Sequence, residues 1–82
     1  MEIEKTQQTA VCLPSMKRGA TGTVVGLSGD VSTQNRLREL GFCENSEVKV
    51  LHVNGSVMCQ VHDSRFGIDR AIAENVLVEP SL

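Results

Sequence analysis

The sequence predicts a small, mainly β protein: a partly open barrel of about five short strands plugged by one short helix. Three observations predict it. The chain is rich in valine and has no Trp or Tyr, so its core must be built from aliphatic side chains, many of them β-branched and strand-favouring. Asn54-Gly55 stands between two alternating apolar runs, the strongest short hairpin signal a sequence offers. Gly19, Gly22 and Gly26 punctuate a further β-prone run, as the bulges and tight coiling of a small barrel require. The chain has 82 residues, which allows one domain and one modest core.

The elements follow in order. Residues 1 to 12 are expected to be a flexible N-terminal segment, the first nine lacking any periodicity, and residues 13 to 80 the domain. Leu13-Pro14-Ser15 is a turn, and the glycine-punctuated strand runs from Lys17 to Leu27. Those glycines do not make a phosphate-binding loop, because no Gly-Lys-Ser/Thr follows them. After the turn at Ser28-Gly29-Asp30 comes a helix over Ser32–Leu40, capped by Ser32 or Asp30. Leu37 and Leu40 share one of its faces, Arg36 and Arg38 complement its dipole, and Gly41 stops it in the left-handed conformation. Phe42 then folds back, and Leu37, Leu40 and Phe42 plug the barrel.

Strands at Glu47–Val53 and Val57–His62 form the hairpin around Asn54-Gly55. A two-residue turn there sets Val48 opposite Val61, Val50 opposite Cys59, Leu51 opposite Met58 and Val53 opposite Ser56. Val48, Val50, Val57, Cys59 and Val61 then share the core face. A tight turn at Asp63-Ser64, with Asp63 at positive φ, brings Phe66 opposite Val61 and Ile68 opposite Cys59, adding both to the core. Ala71–Glu74 is a short helical turn, and Val76–Glu79 closes the barrel before Pro80. Five short strands with one helical plug make a barrel of the SH3-like kind.

In that order the chain carries Gly19-x-x-Gly22-Thr-Val-Val-Gly26-Leu, Arg36-Leu37-Arg38-Glu39-Leu40-Gly41-Phe42, Glu47-Val48-Lys49-Val50 and Ala73-Glu74-Asn75-Val76-Leu77-Val78. This series resembles the FeoA family from about Leu13 to Glu79. The resemblance implies an SH3-like fold and a small cytosolic accessory of bacterial ferrous iron uptake. Its implied partner is the membrane transporter FeoB, with its cytosolic G domain. Three stretches depart from the family pattern. Cys43-Glu44-Asn45-Ser46 replaces a Pro-Gly turn, so Asn45 takes the left-handed role; Asp63 replaces a Gly; and Ile68-Asp69 replaces a Leu-Arg pair.

Charge and composition narrow the function. A net charge of -2, with 22% charged residues, argues against nucleic-acid binding. No apolar stretch resembles a signal peptide or a membrane span, so a cytoplasmic protein, at most recruited to the inner face of the membrane, is expected. Cys12, Cys43 and Cys59 are expected to be free thiols, and Asn54-Gly55-Ser56 a turn rather than a glycosylation site. A polyproline-binding groove needs aromatic walls that Phe42 and Phe66 alone cannot supply. No Cys or Ser has a His in a recognisable catalytic frame, so an enzyme is not expected. No cofactor is expected either. Metal ligation would be adventitious, a divalent ion held at an oligomer contact through His62 or Cys43.

The sheet face opposite the core carries Lys49, Leu51, Val53, Met58, Gln60, His62, Arg65 and Gly67. Apolar side chains there need cover. One reading folds Ile3, Val11 or Leu13 over them. The other makes Leu51, Val53, Met58 and His62 a docking or self-association patch, joined by Arg36 and Arg38 on the helix. The function expected is an interaction module on the iron transporter, and the alternative is a metal-responsive regulatory or oligomerising SH3-like domain that binds a divalent transition metal.

Overall fold

The computed structural model describes residues 10–81. Its elements are β1 (Val11–Cys12), a 3-10 turn (Leu13–Ser15), β2 (Thr21–Leu27), α1 (Val31–Leu40), β3 (Glu47–Val53), β4 (Ser56–Val61), β5 (Ser64–Asp69), α2 (Arg70–Ala73) and β6 (Val76–Pro80). The strands form one antiparallel sheet in the order β1-β6-β2-β3-β4-β5, coiled around a single core. The sheet has two edges, β1 and β5. Val11 and Cys12, expected in the flexible segment, belong to the sheet because they pair with Val78 and Leu77. The rest of that expectation, on residues 1 to 9 and Ile3, lies outside the described residues.

The core follows the predicted alternation. Leu37, Val48, Val50, Val57, Cys59 and Val61 are buried, together with Leu13, Val24, Phe42, Val76 and Val78, while Ile68 is 9% exposed. Phe66 is half-buried and meets Phe42 edge-to-face at 5.6 Å and 89°. Leu13 lies inside the core and so cannot cover the outer face. Leu40 departs from expectation: it is 38% exposed. It sits on the last turn of α1, where Gly41 (φ 112°) reverses the chain and donates to the Arg38 carbonyl. Phe42, whose amide donates to the Leu37 carbonyl, fills the space instead.

Several boundaries move for local reasons. The run Lys17–Ala20 is a turn, with Gly19 at φ 86°, and the strand begins at Thr21. Asp30 alone caps α1, its carboxylate accepting from the Thr33 amide at 2.8 Å, so the helix begins at Val31. That hydrogen bond holds the Asp30 carboxyl below the ordinary carboxylate range. Asn45 takes positive φ (76°), as expected of it.

The two hairpins differ from expectation in register. Val48↔Val61 and Val50↔Cys59 hold, but Leu51 is a bulge, after which His52 faces Met58 and Val53 faces Val57. Leu51 therefore does not lie opposite Met58. The extra residue turns Val53 back to the inner side, where it packs on the core. Gly55 is not left-handed. Instead, the Asn54 side-chain oxygen accepts from the Ser56 amide at 3.1 Å and shapes a three-residue loop. The second turn is His62-Asp63, with His62 rather than Asp63 at positive φ (56°). Phe66 consequently faces Cys59 and Ile68 faces Val57, two residues along from the expected pairing. A shift of two preserves facing, so both side chains still point inward.

Candidate docking surface

The outer face of the sheet is built by the strands that carry the core. Thr21↔Lys49, Lys49↔Gln60 and Gln60↔Arg65 are cross-strand partners, forming one row over β2, β3, β4 and β5. The Arg65 Nε donates to Gln60 Oε1 at 3.2 Å, and the Gln60 amide donates to the His62 carbonyl at 3.3 Å. Thr21, Glu47, Val48, Lys49, Gln60 and His62 line an open groove of about 300 Å³. Gly41, the C-cap of α1, lies beside His62 at one side of this groove. A Cβ placed on Gly41 would stand 3.3 Å from Val61 Cγ1 and 3.9 Å from the His62 ring. The end of α1 therefore sits against the β4–β5 turn, a juxtaposition that no local sequence signal announces.

The expected docking residues are only partly brought together. Met58 is 39% exposed on the outer face, and His62, Arg36 and Arg38 are exposed. Leu51 is half-buried in the bulge and Val53 packs on the core, so the apolar patch expected across the hairpin is broken up. Arg36 lines a polar hollow on α1 with Asp30, Ser32, Thr33, Asn35 and Glu39. Charged groups and amides on rigid strands suit contact with a protein surface, where the polar rim sets register and specificity.

The thiols separate by environment. Cys43 is exposed, Cys12 is half-buried, and Cys59 is fully buried with its thiol 3.8 Å from the Phe66 carbonyl oxygen. Burial pushes the Cys59 thiol up to about 11. Among the described residues no three His, Cys, Asp or Glu side chains converge in a way that could hold a metal ion. Two consequences are measurable. Iodoacetamide should label Cys43 in the native protein and Cys59 only after denaturation. A thiol whose native pKa is raised holds its proton where the unfolded thiol has lost it, so stability is intact below about pH 9 and falls as pH rises towards 11. Urea melts should lose roughly 2 kcal/mol over that window, and Cys59→Ala should lose the slope. Equal slopes would show that burial of Cys59 does not govern it.

Six antiparallel strands with a short helical plug define a small SH3-like module. The chain belongs to the FeoA domain family, whose model matches residues 11–80. It is similar to a crystal structure described as the iron uptake regulatory protein FeoA, at 27% identity and TM-score 0.84, over 88% of this chain and 99% of that one. It is also similar to a zinc-complexed FeoA from Stenotrophomonas maltophilia, described as an SH3-domain protein and a candidate ferrous iron transport activating factor. That match has 25% identity and TM-score 0.74, and covers 83% of this chain and 88% of that one. A manganese-dependent transcriptional repressor shares the fold at 20% identity and TM-score 0.84, with 93% of this chain covering 44% of the repressor. No curated protein matches the chain by sequence. No helix among the described residues is long and apolar enough to cross a membrane.

Proposed function

We infer that this protein is an accessory of bacterial ferrous iron uptake that acts by docking on the membrane transporter FeoB and its cytosolic G domain. The supporting observation is the match over residues 11–80, joined to similarity over 88% of this chain with a structure described as an iron uptake regulatory protein. On this reading the protein works in the cytoplasm, recruited to the inner face of the membrane, and acts by binding rather than by catalysis. The contact runs over the exposed side of α1 and the adjoining groove, where Arg36, Arg38, Lys49, Gln60 and His62 offer charge and hydrogen bonds. The alternative, a metal-responsive regulatory domain, has a shared fold behind it and no more, since the repressors are 20% identical.

The test is capture of the cytosolic part of the transporter by the immobilised protein, with and without GTP. Capture is expected from the wild type. The double variant Arg36→Glu/Arg38→Glu should weaken it about tenfold or more, with an unchanged circular dichroism spectrum. No capture in either nucleotide state would overturn the function. Equal capture by the variant would remove α1 from the contact.

A further inference from the structure

β5 is an edge strand of six residues, Ser64–Asp69. The Val61↔Ser64 pair closes a two-residue turn, so it exchanges hydrogen bonds directly. By alternation Cys59↔Phe66 and Val57↔Ile68 do the same. The backbone N–H and C=O groups of Arg65, Gly67 and Asp69 therefore point away from β4, along an edge that no other described strand occupies. Protein edges are ordinarily blunted by proline, by charged side chains, by a bulge, by brevity or by a covering helix or loop. β5 has no proline, no bulge and no inward-pointing charge, and its two charges, Arg65 and Asp69, are of opposite sign, so they do not repel a second copy; the opposite edge, β1, is only two residues long.

The edge is also complementary to itself. In an antiparallel pairing of two β5 strands centred on Gly67, Gly67 meets Gly67, Arg65 meets Asp69 of the second copy, and Asp69 meets its Arg65. All three are the residues whose backbone groups face outward. On the inner side Phe66 meets Ile68 of the second copy, and the reverse, which covers the half-buried Phe66 ring. The charges are free to pair. Arg65 is exposed, and its one hydrogen bond among the described residues runs through Nε to Gln60. Asp69 is exposed and makes no side-chain cap on α2. Directly opposed side chains in such a pair have Cβ atoms about 5 Å apart, within reach of an ion pair. The exposed Met58 fits the same arrangement. Its Sδ lies 2.8 Å from where a Gly67 Cβ would stand, so the thioether covers Gly67. Two facing glycines then leave nothing between the Met58 side chains of the two copies.

We propose that β5 is a homodimerisation edge, pairing antiparallel with β5 of a second copy about a two-fold axis at Gly67, with reciprocal Arg65–Asp69 contacts. An isologous contact of this kind places each residue in a symmetric pair, which makes it testable by charge exchange. Analytical ultracentrifugation at high micromolar concentration should show a monomer–dimer equilibrium for the wild type. Arg65→Asp sets like charges opposite each other twice, and so does Asp69→Arg. Each should weaken the dimer about tenfold or more, and the double variant Arg65→Asp/Asp69→Arg should restore it. Circular dichroism checks that each variant is folded. A wild type that stays monomeric overturns the proposal. So do a species larger than a dimer, single variants that dimerise as well as the wild type, and a double variant that stays dissociated.

Discussion

Phe42→Ala is expected to remove a large fraction of the domain's stability. Phe42 is wholly buried and is the largest side chain in the core. Truncating such a ring costs about 3–5 kcal/mol. A chain of this size has roughly 4–12 kcal/mol in total. The cost falls at the high end because the site cannot collapse. The ring stands edge-on to Phe66 at 5.6 Å, and the Phe42 amide is tied to the Leu37 carbonyl. Loss of the ring also releases α1, whose other fully buried anchor is Leu37. Phe66→Ala, at a half-buried position, should cost less, about 1–3 kcal/mol. Urea unfolding followed by circular dichroism measures both. A Phe42→Ala midpoint close to the wild type would show that α1 and its plug are dispensable to the barrel.

Gly22→Ala should also destabilise the domain, although it adds only a methyl group. Gly22 lies in β2 between two partners, opposite Val48 on β3 and Pro80 on β6. A Cβ there would stand 2.5 Å from Val78 Cγ1 and 2.8 Å from the Glu79 carbonyl oxygen. A long side chain would swing away, but a strand backbone held on both sides cannot. Overpacking of this kind costs about 1–3 kcal/mol and occasionally more. Gly55→Ala is the control. A Cβ at Gly55 meets nothing within 4 Å and its φ is not left-handed, so its stability should change by less than about 0.5 kcal/mol. If the two variants unfold at the same denaturant concentration, close approach of β6 is not what requires the glycine.

The parts of the fold legible in the sequence are those set by facing. Val48, Val50, Val57, Cys59 and Val61 alternate, and alternation survives any register shift of two, so the core was readable even though Phe66 and Ile68 pair differently from expectation. Shifts of one were not readable. The Leu51 bulge depends on how β3 curls over the core, and it moved Val53 inward, dissolving half of the expected docking patch. Leu40 was misplaced for a similar reason. Spacing along α1 puts it near Leu37, but only the path of the chain after Gly41 decides that Phe42, not Leu40, enters the barrel. The two-residue strand at Val11–Cys12 is too short to carry a periodic signal, and its place is fixed by Leu77 and Val78, more than sixty residues away. The outer-face residues Lys49, Gln60 and Arg65 were legible as a set; that they form one row with Thr21 needed the pairings.

The pairing of β1 with β6 brings the two ends of the described domain side by side. Val11 lies opposite Val78, and the Ser81 amide donates to the Thr21 carbonyl on the neighbouring strand. A unit that begins and ends at one place on its surface can be spliced into a longer polypeptide without disturbing its interior. That property makes the barrel a transferable building block, free-standing in one setting and a segment in another. The manganese-dependent repressor, whose length is less than half spanned by this chain, shows the same architecture used in the second way.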